Sequence, residues 1–154
     1  MAHVAEPWAD LIGNVCDVCP FLHNFTPVDS DGDGSGDDCD CAPDDPAIRP
    51  AAAVAGVTAE KPSPGQARFS WPGATGASLY AVTRGTLSEV RAGSYGECVV
   101  PTQTERSHDD TTTPAPGEGF VYLIRGISDA CGIGTLGAGP GGFERINSDA
   151  DACW

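Results

Sequence analysis

Carboxylates recur at a fixed spacing in residues 29–40, which read D-S-D-G-D-G-S-G-D-D-C-D. Counted from the first residue, carboxylates stand at positions 1, 3, 5, 9 and 12, with a further one at position 10, and glycine stands at position 6. The five positions other than 10 carry the pattern. This is the ligand spacing of a twelve-residue calcium loop, in which the glycine permits a sharp turn and position 7 offers its backbone oxygen. The spacing therefore predicts a Ca²⁺ site with the ligands Asp29, Asp31, Asp33, Ser35, Asp37 and Asp40. We call residues 29–40 the aspartate loop.

A solvated acidic linker is the alternative interpretation, because most charge runs are solvated. Two features favour a metal site. Gly34 stands where the turn is needed, and the carboxylates occupy the ligand positions and not random ones. Without a cation, carboxylates a few ångströms apart would repel one another. The absence of predicted flanking helices argues against a helix-loop-helix calcium sensor.

The charge of the chain is concentrated near its start. The formal net charge is −14, and residues 1–50 hold eleven acidic side chains against the single cation Arg49. Such a balance argues against nucleic acid or an anionic membrane surface as a partner, because phosphates would be repelled. No stretch approaches the roughly 18 apolar residues of a membrane span, and residues 1–7 lack the apolar region of a signal peptide. We expect a piece of a longer exported protein without membrane insertion.

Seven cysteines in 154 residues predict an oxidising compartment, extracellular or at the cell surface. A zinc site is the alternative use of the first four, since C-x-x-C is a zinc-ligand spacing. That site would consist of Cys16, Cys19, Cys39 and Cys41. The interleaved aspartates suit a hard cation better.

Short strands are predicted after about residue 52. Residues 66–71 and 78–84 alternate between apolar and polar, and residues 120–124 form an apolar run that predicts a central strand. Glycine and proline clusters separate these segments, among them residues 132–142, which we expect to be a long connecting loop. The fold class is therefore mostly β, with an irregular calcium-stabilised segment followed by an antiparallel β-sandwich.

The aspartate loop and its surroundings resemble the thrombospondin type 3 repeat, whose pattern D-x-D-x-D-G-x-G-D-x-C-D fits residues 29–40. Cys16-Asp17-Val18-Cys19-Pro20 and Asn24 precede the loop with the spacing of that family. Residues 10–17 look like the end of a preceding repeat, with Asp10, Asn14 and Asp17 as further candidate ligands. Trp8 stands at position 3 of that repeat and cannot bind calcium, so the repeat is degenerate.

The resemblance implies calcium-wrapped loops cross-linked by disulfides, with Cys19 bonded to Cys39. Cys41 departs from the family's C-x-x-C spacing, and Cys16 would be left for an upstream repeat or an intermolecular bond. Cys131 and Cys153 flank the glycine-rich stretch and are expected to pair, which leaves Cys41 for Cys98. Sequence alone does not fix this connectivity.

Residues after about 54 resemble a fibronectin type III-like sandwich. Trp71, Tyr80 and the turn at Pro116-Gly117 before Phe120 and Tyr122 carry that resemblance. The aromatic core of another sandwich is the alternative, and a sandwich by itself does not fix a function. The expected division is residues 1–46 for the repeats, 47–56 for a linker with the start of the first strand, and 57–154 for the sandwich.

No catalytic constellation is evident, so we expect no enzyme. His108-Asp109-Asp110 has no accompanying nucleophile, and its members would alternate across a strand, so we interpret them as surface polar residues. The expected function is a calcium-binding structural or adhesive module outside the cell, whose partners are calcium and, in addition, copies of itself or cell-surface proteins. The alternatives are a subunit of an extracellular fibre or surface assembly and an accessory domain of a secreted carbohydrate-active enzyme.

Overall fold

The computed structural model describes residues 17–19, 21–22, 28–139, 144–147 and 153. Seven strands and one short helix are defined in these residues. In chain order they are β1 (Thr58–Glu60), β2 (Ala67–Ser70), β3 (Leu79–Thr86), α1 (Leu87–Arg91), β4 (Glu97–Gln103), β5 (Ser107–Asp110), β6 (Phe120–Ser128) and β7 (Gly132–Ile133). The first strand begins just after the linker predicted for residues 47–56.

Two antiparallel sheets form the sandwich. The first has the strand order β1-β2-β5, and the second has the order β4-β3-β6-β7. The apolar run at 120–124 lies in β6, which pairs with β3 on one side and β7 on the other. The predicted central strand and the mostly β, antiparallel sandwich are therefore confirmed.

Aromatic side chains from both sheets fill the core. Trp71, Tyr80, Val82 and Ile124 are its buried residues. The ring of Phe69 on β2 lies 4.1 Å from the ring of Tyr122 on β6, which joins the two sheets. Burial of such rings is the main favourable term that holds two sheets together.

The helix α1 was not predicted, and the strand β7 corrects an expectation. Thr86 and Glu89 form a capping box, in which each side chain accepts the other residue's backbone N–H. This reciprocal cap stabilises one helical turn without a buried face. The glycine-rich stretch 132–142 was expected to be a loop, yet its first two residues pair with Ile127 and Ser128 as β7.

The segment before β1 packs on the sandwich and is not a free linker. Ala51 is only 3% exposed, and the Ala52 amide donates to the Thr75 carbonyl at 2.9 Å. Gly126 and Gly134 make room for this segment, because a Cβ at Gly134 would lie 2.4 Å from the Ala51 carbonyl oxygen. The chain that leaves the aspartate loop is thus held against the sheet edge.

Candidate metal centre

The backbone of the aspartate loop turns at two glycines. Gly32 and Gly34 have φ angles of 77° and 99°, which glycine adopts readily. The carboxylate of Asp29 accepts the amides of both, at 2.8 Å from Gly32 and 3.0 Å from Gly34. The sharp turn expected at position 6 is therefore present, and Asp29 fixes it.

Three carboxylates converge inside this turn. Asp29, Asp31 and Asp33 each place an oxygen so that all three oxygens lie within 4.8 Å of one another. Asp33 is 9% exposed, and the other two are partly buried. Oxygens at such separations are a donor set suited to a hard cation such as Ca²⁺.

The carboxylates of Asp31, Asp33 and Asp40 are only half satisfied. In each, Oδ1 accepts a backbone amide two residues further on, from Asp33 at 3.1 Å, Ser35 at 2.7 Å and Ala42 at 3.0 Å. The Oδ2 atom of each is buried and, within the described residues, makes no hydrogen bond. Asp33 Oδ2 lies 3.2 Å from Arg49 Nε, whereas the described residues offer neither a hydrogen bond nor an ion pair to Oδ2 of Asp31 and Asp40. Buried oxygens rarely stay without a partner, so these two atoms are suited to bind a cation or water.

The electrostatics of Asp31 reflect this crowding. Its pKa is raised above the ordinary value, chiefly because burial disfavours the charged form. The negative charges of Asp33, Asp40 and Asp29 raise the pKa further, while the amide of Asp33 lowers it. Asp40 is not among the three carboxylates whose oxygens lie within 4.8 Å of one another, but its charge acts on Asp31.

Asp37 and Ser35 differ from Asp31, Asp33 and Asp40 in their hydrogen bonds. The Asp37 carboxylate accepts both the amide and the hydroxyl of Ser30, at 2.8 Å and 2.7 Å. These bonds lower the pKa of Asp37. These hydrogen bonds join Ser30 at position 2 of the loop to Asp37 at position 9. Asp37 is not among the three carboxylates whose oxygens lie within 4.8 Å of one another.

Among the candidates before the loop, Asp17 accepts the Cys19 amide at 2.8 Å. Asp10, Asn14 and Asn24 lie outside the described residues, as does Cys16. Their predicted roles as ligands, or as the odd cysteine, therefore stay predictions.

Three disulfides hold the site and the sandwich together. Cys19 is bonded to Cys39, the pair that the resemblance implied. The other two pairs differ from the expectation, because Cys41 is bonded to Cys131 and Cys98 to Cys153. The fold explains the exchange: Cys131 follows β6 near the loop segment, whereas Cys98 lies on the edge strand β4.

The disulfides also overturn the zinc alternative. Zinc requires thiolates, and three of the four sulfurs that it would use are oxidised, in Cys19, Cys39 and Cys41. The juxtaposition of Asp40 with Cys41 and Cys131 is likewise no metal site, because its two sulfurs form a disulfide.

Asp110 was wrongly interpreted as a surface residue. It is 6% exposed and accepts from Tyr122 Oη at 2.7 Å, Arg84 Nη1 at 2.9 Å and the Thr112 amide at 2.6 Å. Burial alone would raise the pKa of Asp110, but the hydrogen bonds from Thr112, Tyr122 and Arg84 outweigh it and lower the pKa. Burial and the hydrogen bond to Asp110 raise the pKa of Tyr122.

A groove of about 540 Å³ opens at the aromatic edge of the sandwich, where Phe69, Phe120 and Tyr122 line it. An accessory domain with glycosidase-like chemistry would need two carboxylates there. Among the described residues that line the groove, Glu60 is the single carboxylate.

Comparisons with known proteins add a structural neighbour. No protein-family model and no curated protein matches the chain. Among solved structures, the chain is similar to an Fn3-like protein from Clostridium thermocellum, with 24% identity and a TM-score of 0.42. The similarity covers 52% of this chain and 79% of that protein. The sandwich assignment itself rests on the strands and the core described above.

Proposed function

We propose that this chain is a calcium-binding structural or adhesive module of an extracellular or cell-surface protein. Calcium would be held by the Oδ2 atoms of Asp31, Asp33 and Asp40 together with Asp29. The observation that carries the proposal is a loop with the calcium-ligand spacing in which the buried Oδ2 atoms of Asp31 and Asp40 have neither a hydrogen bond nor an ion pair among the described residues. When bound, calcium supplies the positive charge and the coordination that these oxygens lack.

The role proposed for the ion is structural. The loop contains no helix or strand, and its backbone hydrogen bonds to described residues before it are Gly36 N to Val18 O at 3.0 Å and Asp37 N to Val28 O at 2.9 Å. Neutralising the mutual repulsion of the carboxylates would stiffen it, as the resemblance to the thrombospondin type 3 repeat implies. Asp29 would then contribute to the site through its hydrogen bonds to the turn as well as through its charge.

An extracellular location is supported by the covalent chemistry. Three disulfides are formed by the described residues, and such bonds persist in oxidising compartments. None of the described residues belongs to a helix with the length and apolar character of a membrane span.

The test is calorimetric titration of calcium into oxidised, chelator-treated protein, repeated with the Asp31→Ala, Asp33→Ala double variant. We expect a dissociation constant on the order of 0.1–1 mM or tighter for the wild type and no measurable binding for the variant. The matched control is Asp38→Ala with Asp44→Ala, which removes the same charge from exposed positions of the same segment. Equal loss of binding in both double variants would reduce the site to nonspecific charge attraction, and the absence of heat in the wild type would end the proposal.

A subunit of an extracellular assembly is the second candidate. Leu22, Ile133 and Ile146 are 45%, 48% and 71% exposed, and all three line one groove between the loop segment and the sandwich. Exposed apolar side chains grouped in this way favour contact with another chain. Sedimentation velocity under non-reducing conditions tests this, and a monomer at high concentration would contradict it.

A further inference from the structure

We infer that Arg49 is a built-in counter-cation of the aspartate loop, which competes with calcium for Asp33 and stabilises the loop when calcium is absent. The inference rests on the proposed function and extends it: the chain's own cation sets how tightly the metal binds.

The contact between Arg49 and Asp33 is ionic. Arg49 Nε lies 3.2 Å from Asp33 Oδ2, the Asp33 side chain is fully covered, and the Arg49 side chain is 30% exposed. The pair is within ion-pair distance but is not aligned as a hydrogen bond, since Oδ2 has no hydrogen-bond partner within the described residues. The other oxygen of Asp33 is already occupied by the Ser35 amide. Oδ2 is therefore the oxygen that either a guanidinium or a metal ion would use.

Arg49 compensates only part of the cluster. Of the three Oδ2 atoms without a hydrogen bond, those of Asp31 and Asp40 have no cationic side chain within ion-pair distance in the described part of the chain. A guanidinium carries one charge and has planar donors, whereas calcium takes six to eight oxygens. Arg49 can thus offset the burial of Asp33 but cannot replace the ion.

The backbone around Arg49 is fixed by the sandwich. Gly76, with a φ of 74°, lies so close that a Cβ there would be 2.9 Å from Arg49 Cγ and 2.5 Å from the Pro50 carbonyl oxygen. Arg49 therefore reaches the loop from an anchored position. The Arg49 guanidinium therefore lies beside Asp33 whether or not calcium is bound. Arg49 and calcium must then compete for the Asp33 carboxylate.

The experiment compares Arg49→Gln and Arg49→Lys with the wild type by calcium calorimetry and by thermal unfolding in EDTA. Removing the charge should tighten calcium binding about three- to tenfold, because a partly exposed charge pair is worth a modest amount. The same change should lower the melting temperature in EDTA by about 2–4 °C, because Asp33 then stays buried and unpaired. Arg49→Lys keeps the charge and should remain near the wild type in both measurements.

Arg68→Gln is the matched control, since Arg68 forms an ion pair with Asp109 on the sandwich and its loss changes the net charge equally. We expect its calcium affinity to stay within about twofold of the wild type. If Arg49→Gln binds calcium no more tightly than Arg68→Gln, or leaves the EDTA melting temperature unchanged, the inference is overturned while the calcium site stands. If no variant and no wild-type protein binds calcium, the proposed function itself fails.

Discussion

Two acidic side chains in this molecule, the buried Asp110 and the partly buried Asp31, have pKa values that are shifted in opposite directions. Asp110 in the sandwich is surrounded by donors, and its pKa is lowered. Asp31 in the aspartate loop has other carboxylates for neighbours, and its pKa is raised. Both are removed from water, so burial acts on each in the same direction. The difference comes from what the chain places beside them.

Asp110 has a structural role in the sandwich, whereas Asp31 fits the role of ion ligand that we propose for it. Arg84 serves Asp110 and also stacks over the Phe120 ring at 4.8 Å, so the sandwich network is closed by its own residues. The loop has Arg49 alone at Asp33 and leaves two buried oxygens without a partner among the described residues. This contrast supports the proposal that the aspartate loop, and not the sandwich network, binds an ion.

The largest effect is expected from cutting the covalent bond between the two regions. The change is Cys41→Ser together with Cys131→Ser, whose bond spans 90 residues of sequence. Loop-closure entropy predicts a loss of about 4.6 kcal/mol in the free energy of unfolding, measured by guanidinium titration with the other cysteines kept oxidised. The stabilisation that calcium gives to the sandwich should also shrink, because the loop is then joined by the main chain and by noncovalent contacts.

The control for this change is Cys19→Ser with Cys39→Ser, whose bond lies within the loop segment and spans 20 residues. It should cost about 3 kcal/mol by the same model, and it should reduce calcium affinity itself. A double variant at 41 and 131 that keeps the wild-type stability and its calcium response would show that the two regions are coupled without this bond.

The next effect concerns Asp110→Asn, which should lower the free energy of unfolding by about 2 kcal/mol at pH 7, because Arg84 and Tyr122 lose a charged buried acceptor while Arg84 keeps its ion pair with Glu97. The loss should be the same in calcium and in EDTA. The folded-state pKa is depressed, so the stabilisation is present above the unfolded value of about 3.9 and is lost as pH falls below it. Urea titrations at pH 7 and pH 3 should therefore show a smaller difference between variant and wild type at pH 3.

Asp109→Asn is the matched control, because Asp109 is adjacent on β5 but forms an exposed ion pair with Arg68. Surface pairs contribute little, so this variant should stay close to the wild type. A calcium-dependent loss in Asp110→Asn would break the comparison, since it would make the sandwich network part of the metal response.

Local patterns were sufficient to predict three of the strands, β2, β3 and β6, and the turn of the aspartate loop. Alternation marked β2 and β3, although β3 is buried at four consecutive residues from Tyr80 to Thr83. The spacing of Asp31, Asp33 and Gly34 predicted the converging carboxylates and the turn, and it needs no distant residue. Both signals lie within a dozen residues, where sequence order and spatial order agree.

The missed features depend on distant partners. Asp110 stands in the polar strand S-H-D-D, and only the fold brings Arg84 and Tyr122 to it. The pairing of Cys41 with Cys131 depends on where β6 ends, and Arg49 appeared in the sequence only as a lone cation. One missed element did have a local signal: Thr86 and Glu89 have the spacing of a capping box, which announces α1.

The smallest effect is expected in the aspartate loop, where Asp31→Asn should change the melting temperature slightly. Because the folded-state pKa of Asp31 is raised, the protein without calcium should lose stability as pH rises from the unfolded value through the raised one. Neutralising the side chain removes that loss, so at pH 7 in EDTA the variant should melt slightly higher than the wild type, by about 1 °C.

In saturating calcium the order should reverse, because the variant has lost a ligand charge and binds the ion more weakly. Differential scanning fluorimetry measures the melting temperature in EDTA and in calcium. The control Asp38→Asn changes an exposed neighbour and should leave both melting temperatures at the wild-type values. A lower melting temperature for Asp31→Asn in EDTA would mean that its charge already has a partner within the chain. The aspartate loop would then be as complete as the sandwich network, and the calcium proposal would lose the asymmetry on which it rests.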